Sequence, residues 1–255
     1  MLLRTSKLER SRLTARDGRI GKIMTFLFDE EQWVLRYIVA KHGFLFLGRH
    51  VLISPMSVAG TIRDGEAIAV DLTQKQIKNA PDADLAKSVS RKMETEFLRY
   101  YRVPVYWGGA GLWGGALTPL EAGALSPTPA DEEGPQSDLD PDSDDESHLR
   151  STREVSGYHL YARESDVGVI TDFAIEDATW AVRYLRVETA DIIGGGSLFI
   201  SPHWVQDISW TDQRVSIDIP LAHLKDGPKF GAKGAPSRDE EERLHEFFGK
   251  ARYWK

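Results

Sequence analysis

The sequence predicts a mainly β protein: two small β-barrels with flanking helices, joined by an acidic low-complexity linker. Three observations carry this expectation. Sliding the 255-residue chain by 147 residues matches 13–81 onto 160–228 without a gap, with 17 identities over 69 positions. Each copy is a series of short β-branched and aromatic runs broken by acidic or Gly/Pro turns, which is how strands read. Between the copies, 131–146 holds nine acids and no base. Pro, Asp, Ser and Glu dominate there, and such a composition does not repay ordering entropy by itself. The expected organisation is a first barrel over 1–82, a helix with a Gly/aromatic segment over 83–116, the acidic linker over 117–150, a second barrel over 151–230 and a C-terminal helix over 231–255.

The strands follow in order. "RIGKIMTFLF" and "VGVITDFAI" end in the acidic turns Asp29-Glu30-Glu31 and Glu176-Asp177. "WVLRYIVA" and "WAVRYLRV" come next and share Trp-x-x-Arg-Tyr: Trp33, Arg36 and Tyr37 in one copy, Trp180, Arg183 and Tyr184 in the other. Strand alternation puts Trp33, Leu35, Tyr37 and Val39 on one side and Val34, Arg36 and Ile38 on the other. Both sides are largely apolar, as in a strand covered on both faces. An arginine in such a strand needs a counter-charge, since an unpaired buried charge is very costly. The acids shared at matching positions, Asp71 and Asp218, are the expected partners, and an arginine gripping a partner chain is the alternative. A third strand ends at the repeated Ile-Ser-Pro (53–55 and 200–202), because proline cannot donate to a ladder. "VAGTI", a turn at Asp64-Gly65 and "AIAVDL" then form a hairpin, mirrored by "VQDISW" and "VSIDI". Five or so strands in about 70 residues fit a closed or half-closed barrel better than a sandwich.

Helical spacing over 84–101 places Val89, Met93, Phe97 and Tyr100/Tyr101 on one stripe. Near the end, Ser237 and Glu240 read as a capping box. Leu244, Phe247 and Phe248 give that helix an apolar face, and Gly249 stops it. Tyr100, Tyr101, Tyr106, Trp107 and Trp113, in and after the first helix, are the candidate partner-binding residues, because aromatics dominate interface hot spots. The competing expectation is that this segment folds back over the first barrel. Such a tail is expected in the first copy alone.

Composition excludes several function classes. There is no cysteine, so disulfides, thiolate metal sites and cysteine nucleophiles are ruled out. The seven histidines have no metal-ligand spacing, so no metal and no bound cofactor are expected. No phosphate-cradling glycine motif follows a strand, and the Gly-rich 192–197 reads as a hairpin tip. Ser54 and Ser201 lie in strand-ending turns with no evident base, and no enzymatic activity is expected. Neither a signal peptide nor a membrane-spanning run is read, which points to the cytoplasm. Seven Lys/Arg in the first 22 residues against Glu9 and Asp17 offer a basic end for peripheral membrane contact. The strongly basic, aromatic-interleaved face of a nucleic-acid module is lacking, so nucleic acid is not an expected partner.

Gly21-Lys-Ile23, the acidic turn, Arg36-Tyr37, Leu52-Ile-Ser-Pro55, Val70-Asp-Leu72 and Lys78-Asn-Ala-Pro81 resemble the PRC-barrel. This is the barrel of the cytoplasmic domain of the H subunit in purple bacterial photosynthetic reaction centres, and it also occurs in ribosome-maturation factors. Met93-Glu-Thr-Glu96, Tyr100-Tyr101 and Trp107-Gly-Gly109 then stand in the order in which the H subunit carries a charged helix, a Tyr-Tyr pair and a Gly-Gly aromatic segment. The resemblance implies a non-enzymatic adaptor on the cytoplasmic face of a membrane electron-transfer complex, with core or antenna subunits as partners, shielding its quinone side. Within that resemblance, Asp29, Glu30 and Glu31 are candidate proton-entry acids; the alternative is that they are solvated loop acids that keep a hairpin tip soluble. The sequence departs from the family pattern at Gln32 and Thr179, where an acid is expected, and it lacks the H subunit's N-terminal transmembrane helix. The alternatives are a free-standing tandem PRC-barrel scaffold or regulator and, further off, an adaptor in ribosome maturation.

Overall fold

A computed structural model describes residues 1–42, 49–81, 89–124, 148–163, 165–189, 194–230 and 234–254. The acidic run 131–146, the repeated Gly48 and the first part of the helix expected from 84 lie outside these residues. Along the chain the strands are β1 (Leu2–Arg4), β2 (Arg12–Ala15), β3 (Gly18–Asp29), β4 (Val34–His42), β5 (Arg49–Ile53) and β6 (Ile68–Ala69), followed by β7 (Leu149–Ser151), β8 (His159–Ala162), β9 (Ser165–Glu176), β10 (Val182–Thr189), β11 (Ser197–Ile200), β12 (Val205–Ser209) and β13 (Arg214–Ile217). The helices are α1 (Thr5–Leu8), α2 (Gln74–Lys78), α3 (Arg91–Tyr101), α4 (Pro119–Ala124), α5 (Thr152–Val155), α6 (Leu221–Asp226) and α7 (Arg238–Phe247).

The protein is mainly β, in two mixed sheets. One runs β5-β4-β3-β2-β6, with β7 also on β3; the other runs β11-β10-β9-β8-β13-β12, with β1 also on β9. Corresponding strands occupy corresponding places, so the 147-residue repeat is a repeat of fold. Neither sheet closes into a barrel. In both, the parallel partner of the second strand (β6 on β2, β13 on β8) lies at or next to the free end.

Two compact units result, and they do not follow chain order. One, the first-repeat unit, holds Leu8–Arg150 together with Asp177–Ala181; the second-repeat unit holds Met1–Lys7, Ser151–Glu176 and Val182–Lys255. Strand β1 pairs antiparallel with the last residues of β9, Leu2 opposite Glu176 and Arg4 opposite Ala174. Asp172, 1% exposed, fastens that segment by accepting hydrogen bonds from Thr5 Oγ1 (2.9 Å) and Ser6 N (3.0 Å), and it pairs with Arg4 Nε at 2.5 Å. The expected boundaries at 82/83 and 150/151 therefore miss two exchanges: the chain's first seven residues complete the unit built mainly from the second repeat, and Asp177–Ala181 belong to the unit built mainly from the first.

The repeated glycines have a steric explanation. A Cβ on Gly21 would lie 2.3 Å from the Lys41 carbonyl oxygen, and one on Gly168 would lie 2.0 Å from that of Glu188. Lys41 and Glu188 are themselves 147 apart, so in both copies the second long strand crosses the first too closely for any side chain. Gly168 also has φ +147°, which disfavours other residues. Gly168→Ala is expected to cost about 1–3 kcal/mol of unfolding free energy by forced backbone displacement, readable as a shifted urea midpoint.

Several expectations need correction. The hairpin of the first copy reduces to the bridge Val58–Val70 and the two-residue β6, whereas the second copy forms it fully as β12 and β13. Among the described residues, α3 starts at Arg91, where Ser90 caps it by accepting from Met93 N. The segment 117–124 is not linker: α4 packs so closely on the Pro55–Ser57 turn that a Cβ on Gly123 would meet Met56 O at 2.6 Å. The linker's other expected end is β7, on the edge of β3. Helix α7 does open with the Ser237/Glu240 capping box and stop at Gly249 with φ +59°. Leu244 and Phe248 are buried, but Phe247 is exposed.

A candidate functional site: a duplicated buried Arg–Tyr–Glu network

The Trp-x-x-Arg-Tyr motif begins in a turn and not in a strand. Trp33 and Trp180 have φ of 56° and 60°, left-handed values that cost a non-glycine residue about 1–2 kcal/mol. What holds Trp33 there is burial and the hydrogen bond from its N to Asp29 O (2.8 Å), with its ring stacked on Phe28 at 5.1 Å. Because the turn reverses at Trp33, the alternation expected to include it starts only at Val34. From Val34 to Ala40 every residue is buried, as a strand covered on both faces requires.

Arg36 is fully buried and answers the turn acid seven residues earlier. Its Nη2 lies 3.2 Å from Asp29 Oδ2 and 2.7 Å from Gln32 Oε1, and Nη1 donates to Leu112 O at 2.5 Å. The guanidinium sits 4.0 Å from the centre of the Tyr106 ring and 5.0 Å from that of Trp113. In the other unit Arg183 repeats the choice: Nη2 is 2.5 Å from Glu176 Oε2, and the guanidinium lies 4.1 Å over Tyr253. Asp71 and Asp218, expected to pair with these arginines, bind Arg16 and Arg163 at the surface instead. These four residues also recur at offset 147, but both pairs are more than half exposed and well screened.

Tyr37 leads to a residue that the strand pattern did not single out. Its hydroxyl donates to Glu94 Oε2 at 3.1 Å, and Tyr106 donates to the same oxygen at 2.5 Å. Arg91 Nη1 (3.4 Å) and His148 Nε2 (3.2 Å) approach Glu94 Oε1, and His148 Nε2 also lies 3.0 Å from Tyr106 Oη. Burial pushes the Glu94 carboxyl up to about 7, against the opposing pull of Tyr106, Arg91 and Tyr37. Burial likewise raises both tyrosine hydroxyls well above their usual value, so they act as donors.

The same offset of 147, continued past the last proline pair, recovers this cluster in the second copy. Ser90, Arg91, Glu94, Tyr106 and Trp107 match Ser237, Arg238, Glu241, Tyr253 and Trp254. There Tyr253 donates to Glu241 Oε1 at 2.5 Å, and Arg238 Nη1 lies 3.1 Å from Glu241 Oε2. Arg238 stacks 4.2 Å over Trp254, as Arg91 stacks 4.5 Å over Trp107. Burial raises the Glu241 carboxyl as well. The aromatic tail is thus not a property of the first copy alone; the second keeps its Tyr-Trp and lacks the glycine-rich extension. The signal was available in the sequence, since five identities lie between 90 and 107 at the unchanged offset.

The expected partner-binding residues are mostly interior. Tyr101, Tyr106 and Trp113 are buried, and Trp113 Nε1 donates to Thr179 O at 2.8 Å. Tyr100 and Trp107 are half-buried, and Tyr100 donates to Gln76 O at 2.7 Å. The segment folds back onto its own unit and closes it. The three candidate proton-entry acids do not act together either. Asp29 is buried, and its Oδ1 caps the turn by accepting from Glu31 N (3.0 Å) and Gln32 N (3.1 Å). Glu30 pairs with Arg150 at 2.6 Å, and only Glu31 is exposed.

Two histidines hold structural places: His148 joins the Glu94 cluster, and His245 Nε2 lies 2.9 Å from Tyr184 Oη. Ser54 Oγ accepts from Met56 N at 3.3 Å, so it caps the turn at Pro55. Two of the basic residues near the N-terminus are committed to ion pairs, Arg4 with Asp172 and Arg16 with Asp71. Among the described residues no three His, Asp or Glu are placed to hold a metal ion, and no helix is long and apolar enough to cross a membrane. No known family model matches the chain, and no curated protein is significantly similar to it.

Proposed function

We propose that the chain is a non-enzymatic structural adaptor: a tandem of two PRC-barrel-type units, half-closed in form, that packs on the cytoplasmic face of a membrane electron-transfer complex in the manner of the reaction-centre H subunit. The observation that carries the adaptor reading is the duplicated network. In both copies the repeated Arg, Tyr and Glu side chains are engaged with one another inside a unit, as residues of architecture are. What remains for a partner is the outer surface of the two units. Membranes washed at moderate salt test the partner class. The chain is expected to stay with a pigment-containing complex and to co-purify with it after detergent extraction. Release of the chain free of any pigment protein overturns that assignment.

A second reading, a free-standing tandem scaffold or regulator without a photosynthetic role, is favoured by one observation. The aromatics and acids that the resemblance would turn toward a partner are largely engaged within their own unit. Isolation of the chain as a soluble species, with a non-membrane protein as its stoichiometric companion, is the result expected on that reading.

A further inference from the structure

Among the differences between the two networks, one places an imidazole beside the glutamate. In the first-repeat unit an imidazole stands between the carboxyl and the phenol, His148 Nε2 being 3.2 Å from Glu94 Oε1 and 3.0 Å from Tyr106 Oη. The register position of His148 in the second-repeat unit is Met1, which is 67% exposed. Met1 itself helps to wall a cavity of about 320 Å³, together with Leu2, Glu176, Ser237, Arg238, Glu241 and Tyr253. At offset 147 these six are the counterparts of Leu149, Asp29, Ser90, Arg91, Glu94 and Tyr106. Two of the walls, Glu241 and Tyr253, are thus the counterparts of the pair that touches the His148 ring in the other copy.

We propose that this cavity binds a small nitrogen base of the imidazole class, with an N–H donated to the Glu241 carboxyl and the ring held beside the Tyr253 hydroxyl. Glu241 is a built anchor: it is 2% exposed and is oriented by Tyr253 and Arg238. The charge balance matches the occupied copy. Glu176 and Glu241 each face an arginine, as Asp29 and Glu94 do, and that arrangement accommodates the His148 ring. The apolar Leu2 side offers a face against which a planar ring can pack. With the carboxylates of Glu176 and Glu241 both in the wall, an anion such as phosphate is disfavoured.

The test is ligand-observed saturation-transfer NMR on the full chain with imidazole, with N-acetylhistidine methylamide and with inorganic phosphate. Imidazole is expected to bind with a dissociation constant on the order of millimolar, as its few heavy atoms allow. Glu241→Gln is expected to weaken it at least about tenfold, and Glu176→Gln, a second variant in case the first does not fold, several-fold. His148→Gly, which opens the equivalent space in the other unit, is expected to add a second equivalent of bound imidazole. Binding of free imidazole alone identifies a small-molecule site; binding of the blocked histidine as well identifies a site open to a histidine side chain. No saturation transfer at tens of millimolar, affinity unchanged in both glutamate variants, or displacement by phosphate would overturn the proposal.

Discussion

Arg36→Ala is expected to lower the unfolding free energy by about 3–5 kcal/mol, the cost typical of removing one member of a buried ion pair. The magnitude follows from burial on both sides: Arg36 is 0% exposed and Asp29 is 3% exposed. Without the guanidinium, Asp29 Oδ2 and Gln32 Oε1 lose their donor, and the Leu112 carbonyl loses the link that ties the aromatic segment to β4. The faces of Tyr106 and Trp113 lose a cation as well. Arg183→Ala is expected to cost less, because Arg183 and Glu176 are 15% and 21% exposed and water takes up part of the lost interaction. Urea denaturation of the two variants beside the parent chain checks both the size and the order. Equal losses would mean that burial does not set the cost.

The second large effect is a dependence of stability on pH that originates at Glu94. Its carboxyl stands near 7 in the folded protein and near 4.5 in the unfolded chain. Between those values the folded state holds a proton that the unfolded state has released, so stability falls as pH rises. The contribution is fully present below about 4.5 and is lost as pH climbs through 7, a span worth on the order of 3 kcal/mol. The first-repeat unit is therefore expected to unfold at lower urea at pH 8 than at pH 5.5. Glu94→Gln, which cannot ionise, is expected to flatten that profile while retaining an oxygen for the Tyr37 and Tyr106 hydroxyls. A profile unchanged by the substitution would assign the dependence to another group.

Much of this architecture was legible in the sequence. The 147-residue register, the long strand runs, the Ser-Pro strand ends and the Ser237/Glu240 cap are all written in the residue pattern, and each reappears in the structure. What was not legible depended on partners distant in the chain. Three-residue strands such as Leu2–Arg4 and Leu149–Ser151 carry no periodicity, so nothing local assigned β1 to β9 or β7 to β3. Sequence identity points Arg36 to the wrong acid, because Asp71 and Asp218 are identical in both copies. The true partners, Asp29 and Glu176, differ in residue type and so left no identity to notice. Glu94 was hidden for a different reason: on a helix full of charged residues, one buried glutamate looks like its exposed neighbours. Its counterpart Glu241, with Arg238 and Tyr253, was the available clue, and it lay beyond the segment where strand patterning had drawn attention.

The central claim is that one network, turn acid to arginine to tyrosine to glutamate, is built twice. Double-mutant cycles on four residue pairs test it. Coupling energies of about 1 kcal/mol or more are expected for Arg36 with Asp29 and for Arg183 with Glu176, and none for Arg36 with Asp71 or Arg183 with Asp218. Coupling to Asp71 and Asp218, with none to the turn acids, would contradict the account.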